Sequence, residues 1–246
     1  MIPDDHPRAA SLMTREKLVD GFKRNIVVAE GLIAHGRGEA FDYLLGEKTT
    51  EMAESAVRAA AALLLISKNA VLSVNGNAAA LCAKEIVELA DITGAKIEVN
   101  LFYRTEERER AIKAELERYG ARQVLGVGEK ASARIPELSS ERRRVDPEGI
   151  LVADTVFVPL EDGDRTEALA KMGKSVITVD LNPLSRTARA ANITIVDNLV
   201  RVMPALVQKA SALKGKDEKT LRQIVELFDN EENLDQSLAS IRSGAK

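Results

Sequence analysis

A single cysteine, Cys82, and two histidines, His6 and His35, are all the thiol and imidazole ligands this 246-residue chain could offer a metal. Neither an internal disulfide nor a zinc centre of the ordinary kinds can be assembled within one chain, and a reducing cytoplasm is the expected compartment. Tryptophan is absent and only 3% of residues are aromatic. No long hydrophobic run occurs: the stretch from Val57 to Ile66 is interrupted by Arg58, and the N-terminal MIPDDHPR lacks an apolar core for export, so no membrane association is expected. Charge of one sign is also missing. With 35 basic and 38 acidic side chains spread along the chain, the net charge of -3 gives no electrostatic reason to expect nucleic acid. There is no GxxxxGK[ST] phosphate loop, and Gly76-Asn77-Ala78-Ala79-Ala80 carries one glycine where a dinucleotide fingerprint needs several, which weakens a nicotinamide-dependent dehydrogenase reading.

What is present is a 45% hydrophobic chain organised as helices followed by alternating strands and helices. Residues 11–28 read as a helix with Leu12, Leu18, Phe22 and Ile26 on one side, and residues 50–68 as an alanine-rich helix. Between them lies the glycine-marked segment GLIAHGRGEAFDYLLGEKTT. Strands are expected at 70–74, 97–102, 123–127, 155–160, 175–179 and 193–196. The connecting helices include a charged one over 106–119, with Ile112, Leu116 and Tyr119 on one face, and one over 164–172 capped by Asp164 with Glu167. Residues 128–149 form an excursion whose Glu141-Arg142-Arg143-Arg144 cluster reads as a solvated face. Cys82 falls in an apolar helical pattern and reads as inert core. The fold class is therefore α/β: a Rossmann-like, mostly parallel sheet of about six strands with helices on both faces, plus N-terminal and C-terminal helices. One domain is expected, with a helical part over 1–69, the α/β core over 70–198 and C-terminal helices over 199–246.

Chemistry-bearing residues gather at strand ends, where open α/β sheets bind ligands. Val176 to Asn198 contains two apolar runs, the first ending in Asp180, Leu181, Asn182, Ser185 and Arg186, the second in Asp197, Asn198 and Leu199. A strand-end Asp can accept from ribose hydroxyls, and Ser185 and Arg186 open a helix where phosphate is favoured. His35-Gly36-Arg37-Gly38-Glu39 reads either as a turn with surface charges or as a loop that brings a guanidinium to phosphate or carboxylate oxygens. Ser73-Val74-Asn75-Gly76-Asn77 is either a plain turn or an anion-holding strand-to-helix junction. Glu161, Asp162 and Asp164 could hold Mg2+ or meet a substrate amine.

The phrases HPR, GLIAHGRGEAFDYLLGE, SVNGN, NLFYRTEER, PLEDGDRTEAL and VITVDLNPLSRTAR, in this order from Pro3 to about Ile241, resemble the archaeal phosphopantothenate synthetase family, also called 4-phosphopantoate:β-alanine ligase. The resemblance implies an enzyme of coenzyme A biosynthesis that joins 4-phosphopantoate to β-alanine. It implies cleavage of ATP to AMP and diphosphate through an acyl adenylate, with Mg2+, in a homodimer. It further implies that Arg15, Arg37, Asp180, Leu181, Asn182, Ser185, Arg186, Asn198 and Leu199 hold ATP. From motif position, Asn75, Asn77, Arg104 and Arg165 are expected at the substrate, and Arg37, His35 and Asp162 at the reacting centre. The ligands of the metal stay open. The rival readings are a noncatalytic nucleotide-binding regulator and an NAD-dependent dehydrogenase.

Overall fold

The computed structural model describes residues 6, 8–136, 138–160 and 163–244. Three helices come first: α1 (Ala9–Lys23), α2 (Ala29–Leu45) and α3 (Glu51–Ile66). Strand β1 (Ala70–Val74), α4 (Gly76–Thr93), β2 (Lys96–Val99), α5 (Glu106–Arg118) and β3 (Val124–Leu125) form the first wing. The excursion that follows carries two 3-10 turns and an antiparallel pair, β4 (Ala133–Arg134) with β5 (Arg144–Val145). The second wing is β6 (Thr155–Pro159), α6 (Gly163–Lys171), β7 (Ser175–Val179), α7 (Arg186–Ala190) and β8 (Ile193–Ile195). Helices α8 (Leu199–Leu213), α9 (Glu218–Glu226) and α10 (Asn230–Ser243) complete the chain.

Six strands pair in parallel in the order β3-β2-β1-β6-β7-β8. Each parallel neighbour needs a crossover, which the alternating helices supply. Side chains alternate strictly between the two faces. Leu72, Val74, Val99, Phe157, Ile177 and Ile195 join a core with α3, α4, α5 and α8. Val71, Val156, Val158 and Val176 point the other way, onto Ala168 and Leu169 of α6 and onto Ile135, Val145 and Ile150 of the excursion. Both faces of the sheet are thus covered, as an all-parallel sheet requires. The run Ala59–Ala62 in α3 is wholly buried, because alanine both favours helix and lets neighbouring backbones approach.

Helix starts follow local chemistry. Thr50, Asn75, Thr105, Ser185, Asn198, Asp217 and Asp229 each accept a bond from a first-turn N–H. Asp164 is not such a cap: α6 begins one residue earlier, at Gly163, and Asp164 and Glu167 both turn to Arg186 instead. Two expected core residues also lie elsewhere. Phe22 and Tyr119 are exposed, because α1 ends at Lys23 with Ile26 buried beyond it, and α5 ends before Tyr119, at Arg118.

Candidate active site

The sheet order reverses between β1 and β6, so their carboxyl ends diverge from neighbouring crossovers and leave a crevice. Asn75, just past β1, caps α4 through Oδ1 and donates Nδ2 to the Pro159 carbonyl at 2.9 Å, joining the two strands where they part. Leu160 then takes a left-handed backbone (φ 54°) that turns the chain away from β6. For leucine this conformation costs roughly 1–2 kcal/mol, and such strain collects at functional sites. Above the crevice is a cavity of about 820 Å³, walled by the segments that follow β1, β2, β6, β7 and β8 and roofed by α2.

The roof corrects the expectation of a loop. Residues 29–45, including the whole HGRGE phrase, are helical despite their glycines. Two of those glycines serve close approach: a Cβ on Gly31 would lie 2.3 Å from Asn77 Oδ1, and one on Gly38 would lie 3.0 Å from Asn198 Nδ2. Asn77 donates to the Gly31 carbonyl at 2.8 Å, fixing the early part of α2. The later part is held by Asp42, which accepts from Arg201 at 2.6 Å and from Asn198 Nδ2 at 3.3 Å. Arg201 also pairs with buried Asp197, which accepts from Thr49 and from the Asn198 N–H as well. Phe41 and Leu45 add an apolar seam to Leu234 of α10, and Leu238 and Ile241 of α10 reach the cavity wall.

On the β7 side, Asp180 accepts from the Asn182 N–H at 2.9 Å and from Ser185 Oγ at 2.5 Å. Burial pushes its carboxyl up, while these bonds and the charge of Arg37 pull the other way. Leu181, Asn182, Ser185, Arg186, Asn198 and Leu199 share this wall. Arg186 is neutralised within the protein by Asp164 and Glu167, both at 2.8 Å, which raise its already high pKa. Arg37 is the contrast. It lines the cavity from α2, and among the described residues its guanidinium makes one long bond, 3.4 Å to the Ala34 carbonyl, and no ion pair. His35 lines the same cavity with a buried Nε2 that has no hydrogen-bond partner among the described residues, and burial lowers its pKa.

Three expected arginines are placed off the cavity. Arg15 is held by Glu39 in a bidentate pair, 2.8 and 2.9 Å from one terminal nitrogen. The Arg104 side chain is buried between Glu109, at 2.8 Å, and the carbonyls of Val99 and Gly126, and burial lowers its pKa. Arg165 is wholly buried, donating to Ser73 of the interior strand β1 at 2.8 Å. Each answers to a local partner, which its position in a motif did not reveal. Asn75 lines the cavity, but both ends of its amide are committed to the backbone. Asp162 lies outside the described residues.

Two cavity-lining arginines escaped the sequence reading. Arg108, in the first turn of α5, is buried, with its guanidinium donating to the carbonyls of Tyr103 and Ile26. Arg142 is buried as well, which corrects the solvated-face expectation at that position, whereas Glu141 beside it is exposed. Asn100 Nδ2 donates to the Arg142 and Arg144 carbonyls, both at 3.1 Å, and so pins the turn over the end of β2. The available signal for Arg108 is its place in NLFYRTEER, just beyond a strand end. Among the described residues, no group of three or more His, Cys, Asp or Glu side chains is arranged to hold a metal ion.

Residues 52–244 match the phosphopantothenate/pantothenate synthetase family. The chain is 54% identical to the 4-phosphopantoate–β-alanine ligase of Thermococcus onnurineus, over 98% of this chain and 92% of the relative. It is 51% identical to the ligase of that name from Methanosarcina mazei, over 100% of this chain and 96% of the relative. A third relative so named, from Methanospirillum hungatei, is 51% identical over 89% of this chain and 88% of its own length.

Proposed function

The chain belongs to the phosphopantothenate/pantothenate synthetase family, and from that premise we propose that it is a 4-phosphopantoate–β-alanine ligase of coenzyme A biosynthesis. The observation that carries the reading is the identity to ligases of this name along nearly the whole chain. The cavity at the β1/β6 switch supports it, since an anionic nucleotide meets there an arginine, Arg37, without an ion-pair partner among the described residues.

In the reaction we propose, ATP lies along the β7–β8 wall. Asp180, oriented by Ser185 and the Asn182 N–H, accepts from the ribose hydroxyls. Arg37 meets the phosphates, and Arg186, Asn198 and Leu199 shape the same wall. The carboxylate oxygen of 4-phosphopantoate attacks the α-phosphorus, the bond to the bridging oxygen breaks, and diphosphate leaves with that electron pair. The free amine of β-alanine then attacks the acyl carbonyl, AMP departs, and the nitrogen gives up its proton. His35, neutral at physiological pH because burial opposes its charging, is the cavity-lining imidazole suited to receive it.

Mg2+ fits this site as a passenger of the nucleotide. No carboxylate cage is arranged for it among the described residues, and Mg2+ is commonly held by phosphate oxygens with one or two carboxylates; Glu30 is an exposed carboxylate on the cavity wall. When bound, it neutralises phosphate charge. Whole-chain action as one domain, a cytoplasmic location and a homodimer belong to the same reading. Exposed Ile33 and Tyr43 on α2 give a dimer apolar surface to cover, and among the described residues no helix is long and apolar enough to cross a membrane.

Separating the nucleotide products tests the proposal. AMP, diphosphate and 4′-phosphopantothenate should form only when ATP, 4-phosphopantoate and β-alanine are all present. Absence of turnover with all three would leave the regulator reading in its place.

A further inference from the structure

The last helix meets the sheet where a further strand would otherwise pair. β8 is the outer strand, and α10 covers its edge with side-chain amides. Asn230 Oδ1 accepts from the Thr194 N–H at 2.8 Å, and Asn233 Nδ2 donates to the Thr194 carbonyl at 2.9 Å. Asn230 Nδ2 also donates to the carbonyls of Ala188 and Ala191, both at 3.1 Å, so α10 is fixed against β8 and the end of α7 together. Leu234, Leu238 and Ile241 follow at i, i+4 and i+7 and share one face of this helix.

Leu234 is buried against Phe41 and Leu45 of the roof, and Leu238 and Ile241 carry the stripe onto the cavity wall, where both stay half-buried. Among the described residues α10 gives the cavity no other side chain, and so no charge. Leu181 packs against the same apolar cluster as Ile241, and it too lines the cavity beside Phe41 and the exposed Leu44. Apolar surface left in water at one end of a cavity favours the flat, weakly polar part of a ligand. The covalent order of a nucleotide says which end its base takes, because the base is bonded to the ribose and must lie beside the ribose contact. Asp180 follows β7, the neighbour of β8, and Leu181 is the next residue. The other ring-sized surface on the wall, the exposed pair Phe102 and Tyr103, follows β2, three strand spacings or about 14 Å from β7. A base attached to a ribose at Asp180 does not reach it.

We propose that Leu238 and Ile241 of α10, with Phe41 and Leu181, form the slot that takes the nucleobase of ATP, which makes the C-terminal helix part of the nucleotide site. This assignment rests on the ligase reading for its ligand and on the Asp180 contact for its direction. The triphosphate then runs inward, toward Arg37 and the β1/β6 crevice. The amides of Asn230 and Asn233 act through α10, holding the slot against the sheet edge without touching the base.

Calorimetric titration of the full-length protein with ATP, and with inorganic tripolyphosphate and 4-phosphopantoate as ligands that lack the base, decides the matter. Loss of one apolar side chain from the slot corresponds to about a tenfold weakening. Leu238→Asn, which keeps the size and removes the apolar surface, should weaken ATP binding by about that factor and leave both base-free ligands within about twofold. Ile241→Thr, two residues before the end of α10, should act in the same direction and carries the test if Leu238→Asn fails to fold. Equal loss of all three ligands, ATP binding unchanged in both variants, or tripolyphosphate bound by the unaltered protein as tightly as ATP would each overturn the assignment. Failure of the ligase reading is separately visible as absent product from the unaltered protein with all three substrates, whereas these titrations need no turnover.

Discussion

The Asn75 side chain donates to the Pro159 carbonyl at 2.9 Å and so ties the carboxyl end of β1 to that of β6, at the one place in the sheet where the crossovers diverge. The same amide caps α4 through Oδ1. A residue expected to bind substrate is thus committed to holding the crevice in shape.

Asn75→Ala should remove both functions. Losing the cap costs about 1 kcal/mol and the unsatisfied carbonyl about as much again, so urea unfolding should register a destabilisation of about 2 kcal/mol. Asn75→Asp keeps the cap acceptor and loses the donor, and should recover about half of that stability.

Arg201 joins the roof helix to the last strand through Asp42 at 2.6 Å and Asp197 at 2.5 Å, with all three side chains at most 19% exposed. Arg201→Met strands two carboxylates and should cost about 2–4 kcal/mol in urea unfolding. Because Asp42 also positions Asn198, the KM for ATP should rise several-fold. Adding Asp42→Asn should return part of the lost stability, which a double-mutant cycle measures.

Glu98, on β2, is wholly buried and accepts from the Asp146 and Ile150 N–H groups, at 3.1 and 2.6 Å. Burial pushes its carboxyl up to about 7, against 4.5 for an exposed one. The folded state therefore binds the proton more tightly than the unfolded chain, so stability is greatest below the unfolded pKa and declines as pH rises toward the folded one. Between pH 4.5 and 7 the loss should approach about 3 kcal/mol. Glu98→Gln should lack it, so unfolding free energies of the two proteins should move apart or together by about that amount across the window.

Cys82 is buried in α4, where desolvation raises its thiol pKa. The folded protein should resist a thiol reagent at pH 8 and react only as it unfolds, which absorbance of the released thiolate dye reports.

Arg37→Gln should leave the urea midpoint nearly unchanged, within about 0.5 kcal/mol, since an exposed side chain with one 3.4 Å bond contributes little to folding. Removing a charge from the developing phosphate site should lower kcat/KM for ATP about 100-fold or more. Steady-state rates at saturating 4-phosphopantoate and β-alanine check this.

Much of the fold was legible because strand and helix periods are local. Residues 70–74 and 175–179 were placed to the residue, since each is a short apolar run ended by a polar turn. The roof helix was not legible. Glycines 31, 36 and 38 lower intrinsic helix propensity, while the reason for two of them, the close approach of Asn77 and Asn198, comes from distant parts of the chain. Charged residues divided in the same way. The cluster at Asp180 to Arg186 follows a strand end and could be placed from its pattern, whereas Arg104 and Arg165 sit in equally suggestive phrases yet are consumed by Glu109 and Ser73. Arg142 looks like one of three solvated arginines until Asn100 is seen to anchor its backbone over the cavity.

The acyl adenylate is tested most directly by following the oxygen that would pass through it. With 4-phosphopantoate labelled by oxygen-18 in its carboxylate, a single turnover in the presence of ATP, Mg2+ and β-alanine should deliver one labelled oxygen to the phosphate of AMP, detectable by mass spectrometry. Label recovered in inorganic phosphate, together with ADP, would contradict an adenylate and require an acyl phosphate in its place.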